Sequence, residues 1–174
     1  MIKIVVISVI VILTAIVVLA TTRPDNFRVE RSTRINAPPE KILPLINDFH
    51  QWSVWSPFEK LDPSMRRTYG GTPAGKGAVY EWDGNSKAGK GRMEIVETAP
   101  EGTLIKLDFV KPFTAHNLAR FTAQPQGSGT VLSWSMEGPL ALPAKVMGLF
   151  FNMDKMIGGE FETGLANLKA VAEK

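Results

Sequence analysis

The residue types that most often carry enzymatic chemistry are scarce in this chain. There is no cysteine, and the two histidines, His50 and His116, lie far apart in the sequence. Without cysteine the chain has no disulfide, thiolate metal ligand or cysteine nucleophile. Two isolated histidines do not supply the convergent ligands of a metal site, and no G-x-S-x-G motif indicates a serine nucleophile. We therefore expect neither a metal nor a cofactor.

Two glycine-rich stretches partly match a phosphate-binding loop. Residues 70–76 and 84–90 each have two glycines and a lysine at the spacing of that motif. However, glycine follows the lysine in both, where the magnesium-binding hydroxyl belongs. Each stretch also leads into a predicted strand, so no helix N-terminus would face a phosphate. We interpret both stretches as hairpin loops.

Three titratable side chains are candidates for a general acid or base: Glu97, Tyr80 and His116. Glu97 shares the parity of Met93 on a predicted strand, so it either reaches the mouth of the domain's interior or lies past the buried part of that strand. His116 has the opposite parity to Phe121, so we expect it to point away from the interior. These three residues do not form a complete catalytic set.

The first 20 residues are much more apolar than the rest of the chain. From residue 4 to residue 20 there is no charge, and only Ser8 and Thr14 interrupt an aliphatic run. In hydrocarbon such a run must be helical to satisfy its backbone. At ~1.5 Å per residue it reaches ~25 Å, the short end of the spanning range. We predict a single-pass N-terminal transmembrane anchor in residues 1–23, with a cleaved signal sequence as the alternative because residues 18–20 resemble a cleavage site.

The sequence does not decide on which side of the membrane the remaining residues lie. Lys3 is on one flank of the apolar run, whereas Arg23, Arg28, Arg31 and Arg34 are on the other. The positive-inside rule therefore favours a cytoplasmic domain. A very short N-terminal tail before a signal-like run instead favours export, so both orientations stay open.

Residues 24–174 are predicted to form one domain. Their length suffices for a sizeable core. Because Lys3 and Arg23 belong to the anchor, the charge of this domain is close to neutral. No basic cluster is longer than Arg66-Arg67, so nucleic acid is not an expected partner.

The apolar pattern of this domain predicts a strand, short helices, about six strands and one long helix, in that order. Residues 27–35 alternate as a strand does, and Pro38-Pro39-Glu40 has the features of a helix start. Between residues 65 and 138, alternating segments separated by turn residues predict an antiparallel sheet with one buried face. From residue 143 onward, apolar residues recur every three or four positions, as in an amphipathic helix. The predicted fold is α+β, a curved antiparallel β-sheet wrapped around a long C-terminal α-helix.

The order of these elements and five stretches of sequence resemble a known superfamily. The stretches are A-P-P (37–39), W-S-V-W-S-P-F (52–58), G-A-V-Y-E-W (77–82), T-V-L-S-W-S-M (130–136) and N-M-D-K-M-I-G (152–158). They resemble the SRPBCC superfamily, whose START-like fold is called a helix-grip, and in particular its bacterial polyketide cyclase/dehydrase and lipid-transport group. The resemblance covers residues 27–172 and implies a deep apolar cavity between sheet and C-terminal helix. It also implies a location in the bacterial inner membrane, because that group includes members with an N-terminal anchor.

The implied cavity yields a set of candidate ligand-binding residues, most of them aromatic side chains and methionines. They are Trp52, Trp55, Tyr80, Trp82, Met93, Phe109, Asn117, Phe121, Trp134, Met136, Phe150, Met153 and Ile157. Aromatic walls would exclude water, while Asn117, Tyr80 and Glu97 would orient a ligand by hydrogen bonds, as in most apolar pockets.

Two local features extend this picture. Gly158, Gly159 and Gly164 weaken the C-terminal helix by ~1 kcal/mol each relative to alanine, which indicates a close approach, a bend or cavity space there.

The natural entrance to the implied cavity lies between the C-terminal helix and the loops at residues 52–58 and 111–114. We expect exposed apolar side chains at that entrance, with Trp55, Phe58 and Phe113 as the best candidates.

These observations favour a membrane-anchored domain that binds or transfers a small hydrophobic ligand, such as a lipid, an isoprenoid or quinone, or a polyketide-like molecule. A fold by itself does not fix function, so two alternatives stay open. One is a cyclase- or dehydratase-type enzyme that uses the same cavity. The other is a non-catalytic module that binds a protein. Neither the ligand nor a protein partner is identified by the sequence.

Overall fold

Seven antiparallel strands form a single sheet in the computed structural model, which describes residues 2–174. The strands are β1 (Asn26–Ile35), β2 (Arg66–Gly71), β3 (Ala78–Asp83), β4 (Lys90–Ala99), β5 (Gly102–Lys111), β6 (Ala115–Gln126) and β7 (Gly129–Pro139). Their order in the sheet is β1-β7-β6-β5-β4-β3-β2. Strands β2 to β7 are therefore consecutive hairpin neighbours, and β1 pairs with β7 at one edge.

Five α-helices accompany the sheet. They are α1 (Ile2–Thr21), α2 (Pro39–Asn47), α3 (Trp52–Trp55), α4 (Leu142–Phe150) and α5 (Met153–Ala172), with short 3₁₀ turns at Phe49–Gln51 and Pro57–Lys60. α5 packs against β1 and β7, while α2 packs against β5 and β6. The predicted α+β helix-grip fold, with an apolar N-terminal helix before it, is confirmed.

The C-terminal region contains two helices, so the prediction of one long helix from residue 143 is wrong. Phe151 has an extended backbone, with φ −124° and ψ 135°, and ends α4. The side chain of Asn152 then accepts a hydrogen bond from the Lys155 amide at 2.9 Å and caps α5. Asparagine is among the best N-cap residues because its side chain satisfies a free amide of the first turn. The apolar periodicity runs through this cap, so it does not show the break.

α1 has the length and composition of a membrane-spanning helix, with a mean hydropathy of 3.2 over its most apolar window. A signal sequence near an N-terminus has the same properties. Nearly all of α1 is exposed, but Ala20 in its last turn is fully buried and Ile16 is partly covered. α4 packs against α1, so the domain contacts the C-terminal end of the apolar helix.

Two of the three α5 glycines allow a close approach, as the sequence indicated. A Cβ at Gly158 would lie 2.1 Å from Nη2 of Arg31, whose guanidinium donates hydrogen bonds to Asp154 and Glu162. A Cβ at Gly164 would lie 2.8 Å from the ring of Trp134. At Gly159, by contrast, no described atom lies within 4 Å of the Cβ position.

Replacing Gly159 and replacing Gly164 by alanine should therefore have opposite effects on the free energy of unfolding. Gly159→Ala should raise the free energy of unfolding by about 0.5–1 kcal/mol, because alanine favours the helix and the site has room. Gly164→Ala should lower it by about 1–3 kcal/mol, because the added methyl group overpacks the core. Denaturant unfolding of the full chain in detergent, followed by tryptophan fluorescence, measures both. Stabilisation by Gly164→Ala would contradict the packing described here.

Candidate functional site

The inner face of the sheet is buried throughout, fully at one end (the sealed end) and slightly less completely at the other (the open end). Along β6 the exposed fraction falls from 6% at Asn117 to 4% at Ala119, 1% at Phe121 and 0% at Ala123. The same trend runs along the neighbouring strands, from Trp82 to Ala78 in β3, Met93 to Ile95 in β4, Leu107 to Ile105 in β5 and Met136 to Leu132 in β7. The more accessible end is the one where β1 begins, directly after α1.

The sealed end is filled by aromatic rings and covered by the short helices. The ring of Trp134 stacks on that of Phe161 from α5, with centroids 4.1 Å apart, and Phe121 stacks on Trp134 at 4.9 Å. Trp52 and Trp55 lie edge-on to these rings. Four of the predicted ligand-binding residues, Trp52, Trp55, Phe121 and Trp134, therefore pack against one another in the closed part of the core.

The full burial of Trp55 has a local cause. Its indole Nε1 donates a hydrogen bond to the carbonyl of Leu45 at 2.9 Å. The side chain of Asn167 donates a hydrogen bond to the backbone carbonyl of Trp55 at 3.0 Å. The expectation that Trp55 is exposed at an entrance is therefore wrong. Phe58 and Phe113 are exposed as expected. Only Phe113, in the β5–β6 loop, lies at the open end of the sheet.

We call the open end of the inner face the proximal cleft; its residues are almost entirely apolar and, apart from the partly buried Phe109, no more than 9% exposed. The lining residues are Trp82, Met93, Leu107, Phe109, Asn117 and Met136. Ile157 of α5 is partly buried and packs against the hydrophobic core. Trp82 is held by a hydrogen bond from its Nε1 to the Ala88 carbonyl at 3.0 Å, and its ring covers Gly91, where a Cβ would lie 2.4 Å away. Leu107 is absent from the predicted ligand set, although it shares the parity of Phe109.

Two further predicted ligand residues lie at the margin of the domain. Phe150, in the last turn of α4, is 65% exposed and lies outside the interior. Met153, at the start of α5, is partly buried. The structure therefore divides the predicted set among the sealed core, the proximal cleft and the α4–α5 surface.

Asn117 is the polar residue of the proximal cleft. Its side-chain Oδ1 is buried and accepts no hydrogen bond from any atom in residues 2–174. The amide lies over Gly138, where a Cβ would approach Oδ1 to 2.0 Å. A buried acceptor left unsatisfied costs about 1–3 kcal/mol, and such groups in native proteins call for an explanation. Within the described chain, Ser56 Oγ and Trp134 Nε1 are also buried without a partner, but both lie towards the sealed end.

Tyr80 is already engaged in a buried polar contact. Its hydroxyl donates to Glu59 Oε1 at 2.6 Å, and Arg67 Nε donates to the other carboxylate oxygen at 2.6 Å. Burial and the bond to Glu59 raise the pKa of Tyr80, so the phenol stays neutral at physiological pH. The buried role of Glu59 was not predicted from the sequence, because a single carboxylate after Pro57-Phe58 matches no sequence motif.

Glu97 does not reach the interior, because β4 contains a bulge. Ile95 pairs with Ile105, but Glu97 pairs with Leu104, so β4 has one extra residue at this point. The bulge reverses the parity of the residues that follow it. Glu97 therefore lies exposed on the outer face. His116 also lies on the outer face, where its Nδ1 is 2.6 Å from Asp108 Oδ1.

Within residues 2–174, no group of three or more histidine, aspartate or glutamate side chains is arranged to hold a metal ion. The three candidate acids and bases are also separated, since two lie on the outer face and Tyr80 binds Glu59. The candidate site is thus the less completely buried, apolar end of the inner face, with one amide.

The fold and this cleft define a helix-grip protein, and a comparison with known families gives its membership. Residues 26–173 match the family described as polyketide cyclase/dehydrase and lipid transport. The chain belongs to this family, so the predicted relationship to the SRPBCC superfamily is confirmed. No curated protein sequence matches the chain.

Solved structures share the fold at low sequence identity. Protein CV1439 from Chromobacterium violaceum aligns with a TM-score of 0.59 and 19% identity, covering 87% of this chain and 99% of that one. The di-domain ARO/CYC protein StfQ from the steffimycin biosynthetic pathway aligns with a TM-score of 0.63 and 12% identity, covering 85% and 51%. Ara h 8.0201 aligns with a TM-score of 0.53 and 11% identity, covering 84% and 97%. At these identities the likeness shows the fold alone.

The hydrogen bond from Tyr80 to Glu59 predicts that removal of the Tyr80 hydroxyl destabilises the fold. Tyr80→Phe should lower the free energy of unfolding by about 1–3 kcal/mol, because the buried carboxylate of Glu59 loses a donor. Tyr69→Phe, on the neighbouring strand and more exposed, is the matched control and should change it by less than about 0.5 kcal/mol. Denaturant unfolding of the full chain in detergent compares them, and equal effects would contradict the role assigned to Tyr80.

Proposed function

We propose that this protein is a membrane-anchored carrier or receptor that binds a small hydrophobic ligand in the proximal cleft. The observation that supports the proposal is the exposure gradient along five adjacent strands, by which the apolar inner face is least completely buried at one end. Apolar surface lined by aromatic and methionine side chains, with few polar groups, is typical of ligand pockets. Methionine suits such a surface because its flexible side chain adapts to varied shapes.

The amide of Asn117 supports a ligand with an apolar body and one polar end. Its Oδ1 has no partner in the described chain and is an acceptor. A ligand hydroxyl or N–H group would satisfy it, whereas a pure hydrocarbon would not. Lipids, isoprenoid or quinone compounds in their hydroxylated forms and polyketide-like molecules all have this character. The proposed ligand-binding set is therefore Trp82, Met93, Phe109, Asn117, Met136 and Ile157 of the predicted residues, together with Leu107.

The proposed division of the chain is an anchor in residues 1–23 and a ligand-binding domain in residues 24–174. α1 ends at Thr21 and β1 begins at Asn26. At ~3.3–3.6 Å per extended residue, the connecting residues 22–25 span no more than about 14 Å. An anchored domain would therefore stay next to the bilayer, with the open end of its sheet on the side of α1.

The two alternative functions have less support. A cyclase or dehydratase needs an acid or base within reach of the substrate, whereas Glu97 and His116 lie on the outer face and Tyr80 binds Glu59. A protein-binding module would use an exposed apolar patch. The outer face of the sheet instead carries ion pairs such as Arg28–Glu137 and Arg92–Glu94, and the exposed apolar side chains of α4 belong to a helix that packs against α1. Ligand binding or transfer is therefore the function that we propose.

The location of the site can be tested with a photoreactive probe. Hexadecanol that carries a diazirine in its chain, added to the full chain in detergent, should cross-link to peptides that contain Met93, Phe109 or Met136. Peptide mass spectrometry reads the sites, and an excess of unlabelled hexadecanol should suppress them. Labelling confined to α1 would mean that the probe reports only the micelle and would contradict the proposal.

The role of Asn117 can be tested by removing its amide. Asn117→Leu should raise the free energy of unfolding by about 1 kcal/mol or more, because it removes a buried unsatisfied acceptor. It should also abolish a preference of about fivefold for the diazirine alcohol over its methyl ether, equivalent to one hydrogen bond of about 1 kcal/mol.

Ser56→Ala is the matched control for this substitution. It also removes a buried hydroxyl that lacks a partner in the described chain, but towards the sealed end. It should leave the preference for the alcohol unchanged. Cross-linking yields measured over a range of probe concentrations give the preference. If Asn117→Leu retains the wild-type preference, the amide does not orient the ligand.

A further inference from the structure

The chain between the last strand and α5 presents almost no charge. From Gly138 to Met153 the one charged residue is Lys145. Its side chain is about nine-tenths buried, and its Nζ donates to Asp25 Oδ1 at 2.5 Å and to the Arg23 carbonyl at 3.3 Å. The hydrogen bond from Lys145 lowers the pKa of Asp25, so this carboxyl group is ionised at neutral pH. The exposed surface of this segment is therefore uncharged.

This surface consists instead of large apolar side chains. We call α4 together with the first turn of α5, residues 142–156, the elbow. Five of its large apolar side chains are at least 45% exposed: Leu142, Met147, Phe150, Phe151 and Met156. Exposed large apolar side chains concentrated in one segment indicate an interaction site, and two adjacent exposed phenylalanines are unusual on a surface that meets only water.

The position of the elbow on α1 indicates what covers it. α4 packs against the C-terminal end of α1, where Ala20 is buried and Ile16 is partly covered. At ~1.5 Å rise per residue, Ile16 lies only about 7 Å from the end of α1. If α1 spans the bilayer, a helix that packs beside its last turns lies at the depth of the boundary between headgroups and acyl chains. Amphipathic helices insert their apolar face at this depth. The ion pair between Lys145 and Asp25 holds α4 to the connection that leaves α1.

We propose that the elbow is an interfacial membrane segment, which inserts its exposed apolar side chains into the leaflet where α1 ends. The occupant of this surface is thus the lipid bilayer itself. The proposal rests on the membrane anchoring stated above. It adds a second contact that fixes the orientation of the domain, so that the proximal cleft opens towards the membrane. Phe113, exposed in the β5–β6 loop at the same end of the sheet, is placed to join this contact.

The absence of cysteine allows a direct test by spin labelling. Single cysteines at Phe150→Cys and Phe151→Cys probe the elbow, Val11→Cys probes the middle of α1, and Ala166→Cys probes an exposed position about 20 Å further along α5. Each full-length variant is reconstituted in vesicles of phosphatidylcholine and phosphatidylglycerol. Collision rates with oxygen, which concentrates in lipid, and with a water-soluble nickel chelate report the surroundings of each label.

We expect the labels at Val11, Phe150 and Phe151 to collide mainly with oxygen and the label at Ala166 to collide mainly with nickel. The ratio of the two rates at the elbow should be severalfold higher than at Ala166. If Val11 is in lipid but both elbow labels collide with nickel, the elbow proposal fails while the anchor stands. If Val11 itself collides with nickel, the anchor fails and the elbow proposal fails with it. Elbow labels that are shielded from both reagents and show spin–spin broadening would place a second copy of the chain there and overturn the proposal.

Discussion

The uneven cover of the sheet's inner face is the constraint on which the rest of the structure depends. α5 lies along β1 and β7, and the short helices α2 and α3 close the end of the sheet far from α1. The stack of Trp134 on Phe161 fills that end, and Gly164 is the residue that lets the helix approach the indole. Interiors are packed as densely as organic crystals, so a second molecule finds space only where this packing ends.

Charged side chains fasten the covering elements around the margin of the apolar interior. Arg31 joins β1 to α5 through Asp154 and Glu162, and Lys145 joins α4 to the connection after α1. Arg67 and Tyr80 together satisfy the buried carboxylate of Glu59. A buried charge that loses its partner destabilises strongly. These contacts therefore fix the frame of the cleft while leaving its lining apolar.

Period-two alternation in the sequence identified the inner face of the strands, because successive side chains of a strand point to opposite faces. It failed at Glu97, where one extra residue in β4 reverses the parity. Helical periodicity likewise ran through the cap at Asn152. The candidate site was predicted less well than the fold. Whether an aromatic residue such as Trp55 lies in the sealed core or in the cleft depends on which helix covers it, and that contact is between segments distant in sequence.

The composition of the cleft supports the proposal of ligand binding. Catalysis requires groups aimed at the reacting atoms, whereas binding requires only exclusion of water and one or two orienting hydrogen bonds. The cleft offers one amide among aromatic and aliphatic side chains. In the proposed membrane-anchored protein, a bound ligand would exchange one apolar environment for another on return to the bilayer, so the hydrophobic effect would not trap it in the protein. A cleft on the side of α1 would thus favour reversible exchange with the membrane.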